Sequence, residues 1–357
     1  MSHSQNASKT VALFPGQGSQ HVGMAKELCD NFAVARQVFE EASEAIKVDL
    51  KKLCFDGPEA QLTLTEFTQP SLLTASVAAF RVARAEFGFA PDAVAGHSLG
   101  EYSALVAAGS LPLARAAYWV RERGRAMQTA VPAGQGTMAA IMGMDDEVVV
   151  ELCKQATQSA RDKRAKSGTP ETADGEPLSV DALVEAANFN APGQVVIAGS
   201  TDGVAEALAL IAAAKGTGGP FSGGKAIPLQ VSAPFHCKLM APARERMAEL
   251  FALATGSEKA RAPEFAYVPN RTARLTREAG VVFDLLIEQV DHPVLWRQTM
   301  TGLFNEGFLT TVEVGPGRVL AGLAKRIAQK VGPEPLSPRI FGISDCETLK
   351  QTAEALQ

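Results

Sequence analysis

The fold is read from Ala93-Val94-Ala95-Gly96-His97-Ser98-Leu99-Gly100-Glu101-Tyr102. Ala93 to Ala95 is a short apolar run of strand type that breaks at Gly96, and a helical pattern follows from Gly100 to Ala108. Between them, Gly96-His97-Ser98-Leu99-Gly100 satisfies G-x-S-x-G at a strand-to-helix turn. In such a turn the serine takes a strained backbone conformation at the C-terminal edge of a sheet. Its flanking positions are glycine because side chains there would collide with the neighbouring strand and helix. The helix that follows points its positive end at the serine, and the Leu99 N–H is placed to bind an oxyanion. A serine in an ordinary βα turn is the alternative for so short a pattern. The strand before it and the helix after it favour a nucleophile at Ser98.

The same strand, loop and helix order recurs outward from this stretch. Thr10–Phe14 is an apolar run halted by Pro15-Gly16, with an amphipathic stretch around Met24–Leu28. Thr311–Val314 breaks at Gly315-Pro316-Gly317 before Val319–Ile327 turns helical. Strands alternating with helices imply an α/β fold with a doubly wound, mainly parallel sheet. The middle of the chain differs. Thr137–Met142, Leu183–Ala187, Val195–Ala198 and Lys225–Val231 read as strands, and Asp145–Gln155 and Ala205–Ala214 as helices. That order, βαββαβ, is the ferredoxin-like pattern. A small α+β subdomain at 131–232 is therefore expected, inserted into a large domain made of 1–130 and 233–357. Residues 156–180, rich in charge, Ser, Thr, Pro and Gly, and 216–224, with five glycines, are expected to be mobile surface connections.

A chain of 357 residues suits one large domain carrying a smaller one. A composition 46% hydrophobic and 20% charged is that of a globular protein. The formal charge of -5 gives no electrostatic support for a nucleic-acid partner. Five dispersed cysteines, without C-x-x-C or zinc-ligand spacing, read as reduced thiols and give no metal site. The polar first ten residues lack the apolar stretch of a secretion signal, and no uncharged apolar run approaches bilayer length. The expectation is a soluble, cytoplasmic protein with no membrane partner.

A serine hydroxyl needs a base, and the chain has five histidines. His3 lies in the polar tail, His97 should point away from Ser98 at so sharp a turn, and His21 and His292 lack a setting for proton transfer. His236 stands in Val231-Ser232-Ala233-Pro234-Phe235-His236-Cys237, just after the last strand of the inserted segment. Proline there fixes the direction in which the chain returns to the large domain. A domain junction is where a cleft is expected, so His236 is the favoured base.

Five motifs then fall in a known order: Gly16-Gln17-Gly18-Ser19-Gln20, the run from Gly96 to Tyr102, Asn188-Phe189-Asn190, the run from Gly193 to Gly199, and Glu313-Val314-Gly315-Pro316-Gly317. In them the chain resembles the malonyl-CoA:acyl-carrier-protein transacylases and the related acyltransferase domains of fatty-acid and polyketide synthases, over about residues 10–330. The resemblance implies a hydrolase-like α/β domain with a ferredoxin-like insertion. It also implies a dyad of Ser98 and His236, the histidine being oriented by a backbone carbonyl at Gln289. Gln17 matches the residue whose N–H joins that of Leu99 in the oxyanion hole, and Gln69, Asn188 and Asn190 match further residues near the cleft. The implied substrate is malonyl-CoA, the partner an acyl carrier protein, and no permanently bound cofactor is required. Gly16-Gln17-Gly18 could instead open a nucleotide loop, but position 21 is His, against G-x-G-x-x-G, and no G-K-[ST] follows.

The acyl group has its own signal. Ala116, Val120, Arg123 and Met127 recur at helical spacing on one face. Arg121 and Arg125 lie about 200° away and can face water. Arg123 is thus directed inward, where a guanidinium needs an anionic partner. An internal Asp or Glu is one such partner. The resemblance supplies another, because Arg123-Gly124 aligns with the arginine that grips the free carboxylate of malonyl. Phe235 resembles the phenylalanine of malonyl-selective polyketide acyltransferases, whereas fatty-acid transacylases often carry serine there. Both pathways stay open, and core packing is the plainer reading of Phe235. Lys325, Arg326 and Lys330 are candidate basic contacts for an acidic carrier protein, or simply a solvated helix face. Two rival functions also stand: an acyl-thioester hydrolase on the same scaffold, and a non-catalytic carrier-protein binding subunit.

Overall fold

The computed structural model describes residues 8–167, 179–231 and 233–357. Its strands are β1 (Thr10–Phe14), β2 (Ala93–Gly96), β3 (Gly136–Met142), β4 (Val184–Ala191), β5 (Gln194–Ser200), β6 (Lys225–Pro228), β7 (Ala266–Val268), β8 (Thr310–Val314) and β9 (Arg339–Ile343). The chain divides into two compact units. One comprises 1–124, 253–283 and 298–357; the other comprises 125–252 and 284–297, and so takes in the 131–232 stretch.

The first unit is built on a sheet ordered β7-β2-β1-β8-β9, parallel at every pairing. Val11 to Phe14 and Val94 have no exposed surface, as expected of parallel strands covered on both faces. Phe14 pairs with Gly96 and Leu13 with Glu313, so β1, β2 and β8 end level. The loops that leave them, at Gly16, Ser98 and Gly315, therefore emerge together at the carboxyl edge, where open α/β sheets bind ligands. Glu313 closes β8 by accepting the N–H groups of Leu320 (3.1 Å) and Ala321 (2.8 Å), which caps the Val319–Ala328 helix. Burial pushes the Glu313 carboxyl up, with those two N–H bonds pulling the other way. The Thr65–Phe87 helix is buried along most of its length and packs on the Ala33–Ile46 helix.

The second unit holds an antiparallel sheet ordered β4-β5-β3-β6. The helices Asp146–Ser167 and Thr201–Ala214 pack on it. Its core gathers Ile141, Val149, Leu152, Val195, Ile197 and Val204. The element order is βαββαβ.

Three local expectations need correction. Residues 156–167 are not a surface connection: they continue the helix begun at Asp146. Polar groups hold them in place. Thr157 Oγ1 both donates to Val184 O (3.2 Å) and accepts from Val184 N (3.0 Å), and Arg161 Nε donates to Ala182 O (3.2 Å). Arg164 grips both carboxylate oxygens of Asp202 at 2.7 and 2.8 Å. Residues 168–178 of that expected loop lie outside the described residues. The last strand of the unit stops at Pro228 instead of Val231: Leu229 N still donates to Met138 O (3.0 Å), but Val231 N turns back onto Leu229 O (3.0 Å). The third correction is Arg121, which is half-buried: its guanidinium donates to the carbonyl of Ile46 and lies 5.8 Å over the Phe67 ring.

The 216–224 stretch forms turns, with Phe221 buried beneath them. The cysteines are all free: Cys29, Cys54, Cys153 and Cys237 are buried and Cys346 is partly so. Among the described residues no helix is long and apolar enough to cross a membrane.

Candidate active site

In the first unit, Ser98 adopts φ 52°, the left-handed region that a side-chain-bearing residue enters only where its surroundings impose it. The crowding is explicit. A Cβ on Gly96 would stand 1.9 Å from the Gly100 carbonyl group, and one on Gly100 would stand 2.0 Å from Phe14 O. A Cβ on Gly16 would lie 2.5 Å from His97 O, so the Gly16-Gln17 loop passes directly against the elbow. Gln17 itself is exposed at the loop tip, its Nε2 3.4 Å from Thr65 Oγ1.

The elbow's N–H groups are almost all engaged. Ser98 N donates to Asn270 Oδ1 (2.6 Å), Gly100 N to His97 O, Glu101 N to Ser98 O and Tyr102 N to Leu99 O. Among the described residues the Leu99 N–H enters no such bond. That is the state an oxyanion donor needs before substrate arrives.

Arg123 is brought to the same serine from the Leu113–Thr129 helix. Gly124 makes the approach possible: a Cβ there would fall 2.7 Å from Thr65 O and 2.8 Å from Glu66 Cα. The Arg123 side chain is 1% exposed, with Nη1 donating to Gln69 Oε1 (2.8 Å) and Nη2 to Ser98 Oγ (3.2 Å). Its guanidinium carbon lies 5.7 Å over the Tyr102 ring. Burial draws the guanidinium below its ordinary pKa, against the opposing fields of Tyr102 and Glu101. The Glu101 carboxylate also accepts the Asn270 N–H (3.0 Å), so it is shared between the arginine's field and the elbow's scaffold. A planar cation beside a serine hydroxyl, with an amide oxygen on its other arm, is suited to an acyl group that carries its own carboxylate.

In the second unit, His236 is also left-handed, at φ 61°, and its side chain is 4% exposed. Its Nδ1 lies 2.9 Å from Gln289 O. A carbonyl only accepts, so Nδ1 carries the proton and Nε2 is the basic nitrogen. Gln289 is the last residue of the Val282–Gln289 helix, where carbonyls lack an intrahelical donor, so the partner comes ready-made. Phe235 is buried beside His236 in sequence. Asn188 and Asn190, both buried, sit on β4 where its pairing with β5 shifts register. β4 is tied there to Val294, through Phe189 N to Val294 O and Val294 N to Ala187 O.

The other histidines have different settings. His97 lies against the Gly16 loop, His21 is exposed with Nδ1 on Val22 O, and His292 joins the Asp291 carboxylate (2.7 Å). His3 lies outside the described residues. Asn270 was not singled out by sequence reasoning. Its only signal is position, two residues beyond the end of β7, the neighbour of β2. Among the described residues no three His, Cys, Asp or Glu side chains cluster as a metal site would require.

Residues 11–337 match the acyl transferase domain family. The malonyl CoA-acyl carrier protein transacylase of Bacillus subtilis (strain 168) is 41% identical over 350 residues, covering 98% of this chain and 98% of that protein. That of Escherichia coli (strain K12) is 40% identical over 325 residues, 91% of this chain and 94% of the other. The crystal structure of an acyl-carrier-protein S-malonyltransferase from Burkholderia pseudomallei 1710b superposes with a TM-score of 0.82 at 39% identity, over 97% of this chain and 99% of that one. A malonyl-transacylase solved in complex with its type II PKS acyl-carrier protein gives 0.83 at 38% identity, over 98% and 100%.

Proposed function

The chain belongs to the acyl transferase family, and we propose that it moves a malonyl group from coenzyme A to the thiol of an acyl carrier protein through an ester on Ser98. The observation that carries this reading is the buried Arg123 guanidinium, 3.2 Å from Ser98 Oγ. A hydrolase of simple acyl groups has no use for a cation there, whereas a malonyl carboxylate does.

In the first half-reaction His236 Nε2 takes the proton of Ser98 Oγ as the oxygen attacks the thioester carbonyl. The N–H groups of Leu99 and Gln17 stabilise the tetrahedral oxyanion, and Arg123 with Gln69 holds the free carboxylate. The carbon–sulfur bond breaks, and His236 returns its proton to the departing coenzyme A thiolate. In the second half, His236 deprotonates the carrier's phosphopantetheine thiol, which attacks the Ser98 ester and leaves malonyl on the carrier. Asn188, Asn190 and Phe235 contribute to binding the acyl group, and Gln289 keeps His236 in the productive tautomer. Lys325, Arg326 and Lys330 receive the acidic carrier protein. The setting is cytoplasmic, with 131–232 as a small subdomain inserted into the rest of the chain.

The test is to incubate the protein with malonyl-CoA, and separately with acetyl-CoA, and weigh the intact chain. A malonyl-sized adduct on Ser98 that passes to a carrier protein is the expected result. Free malonate without transfer would replace this reading with a hydrolase, and no adduct with no turnover would replace it with a binding subunit.

A further inference from the structure

The elbow has a second support that the chemistry above does not use. β2 pairs with β7 as far as Ala95 opposite Val268, and the next residue on the β7 side is Pro269, which has no N–H to offer. The ladder would fail there, one residue before the turn. Instead the side chain of Asn270, itself without exposed surface, takes over. Its Nδ2 donates to Gly96 O (2.6 Å) and its Oδ1 accepts from Ser98 N (2.6 Å). One carboxamide thus bridges the two peptides on either side of His97, as a backbone neighbour would have done. Asn270 is fixed in turn, because its own N–H is held by Glu101 Oε2 from the first turn of the Gly100–Ala107 helix.

We propose that Asn270 is a positioning residue for the nucleophile: its carboxamide holds the Ser98 peptide in its left-handed conformation and turns the Ser98 N–H away from the reacting carbonyl. The Leu99 N–H is then the elbow's oxyanion donor, and Ser98 Oγ stands where the Arg123 guanidinium meets it. The inference rests on the Ser98 ester chemistry proposed above. A displacement of about 1 Å at a nucleophile is enough to lower a rate by about 10²-fold.

The experiment follows single-turnover formation of the Ser98 ester from malonyl-CoA in wild type, Asn270→Ala and Asn270→Asp. Asn270→Ala is expected to slow the maximal acylation rate by about 10²-fold, with the malonyl-CoA concentration for half-maximal rate changed by about twofold at most. Asn270→Asp is isosteric and covers the case in which the alanine variant does not fold. Its ionised carboxylate would face Gly96 O with no hydrogen to donate, whereas its protonated form restores both bonds. The ratio of its rate to that of wild type should therefore rise by about tenfold or more between pH 8 and pH 5. A folded Asn270→Ala acylating at the wild-type rate, a loss confined to the concentration dependence, or an Asp ratio flat with pH would each overturn the proposal. Wild type run in parallel separates the two readings, since absence of its ester would count against the proposed function and not against Asn270.

Discussion

His236 Nδ1 lies 2.9 Å from the main-chain oxygen of Gln289, so a helix end orients the histidine. A carboxylate partner would stabilise the imidazolium; a neutral carbonyl fixes the tautomer without that added charge. Removing the base should cost what a positioned general base contributes. His236→Ala is expected to lower the acylation rate by about 10²- to 10⁴-fold, read as single-turnover ester formation. An acylation rate within about threefold of wild type would take His236 out of the mechanism.

Arg123→Ala should collapse the preference for malonyl-CoA over acetyl-CoA. A charge-assisted bond contributes about 1.5–3 kcal/mol, or about 10- to 100-fold in the ratio of kcat/KM values. Arg123→Lys should recover only part of it, because an ammonium cannot offer parallel donors to Gln69 and a carboxylate together. An unchanged ratio in both variants would show that acyl choice is made elsewhere.

Two glycines should respond in opposite directions. Gly96→Ala places a Cβ 1.9 Å from the Gly100 carbonyl group, and the loss should reach about 3 kcal/mol or more. Gly322, inside the Val319–Ala328 helix, has nothing within 4 Å of its would-be Cβ. Gly322→Ala should therefore gain about 0.5–1 kcal/mol of helix stability. Urea midpoints measure both, and two shifts of the same sign would contradict the packing described.

Asp202 gives a pH-dependent prediction. Burial raises its pKa, but the Arg164 fork, Ser200 and the Gly203 N–H outweigh it and leave the carboxyl below its usual range. A depressed carboxyl stabilises the fold above its unfolded pKa of about 4, and that stabilisation is lost as pH falls through the lower folded value. Asp202→Asn should thus cost about 1–3 kcal/mol at pH 7 and much less near pH 2. An equal gap at both pH values would assign the loss to packing.

Lys325 and Lys330 are exposed on or just after the Val319–Ala328 helix. Reversing both to Glu should raise the KM for the carrier protein by about tenfold at low salt, an effect that shrinks as salt is added. An unmoved carrier-protein KM would place the docking surface elsewhere.

The strands at 10–14, 93–96 and 310–314 were legible because parallel strands covered on both faces are unbroken apolar runs closed by glycine. Ser98, Arg123 and His236 could be singled out for a related reason: each stands at a break or on a face that the local pattern defines. The Thr65–Phe87 helix was not read, because it is buried nearly all round and shows no polar stripe to set a period. Residues 156–167 misled in the opposite way. Their charged composition resembles a loop, yet Arg161 and Arg164 use that charge to fasten a helix to Ala182 and Asp202. Asn270 escaped because its role is a pairing with residues far away in sequence, and a single asparagine after Pro269 carries no period at all.

The buried cysteines bear on how the reaction can be watched. Burial pushes Cys54, Cys153 and Cys237 to about 12, and Cys29 to about 11. Cys346, the least covered, also stands at about 11, with Glu27 and Asp345 adding to the effect of burial. At neutral pH the folded chain therefore holds almost no thiolate of its own. A disulfide dye present while malonyl-CoA acylates Ser98, with no carrier thiol added, should colour with the coenzyme A released, while the enzyme stays dark until it unfolds.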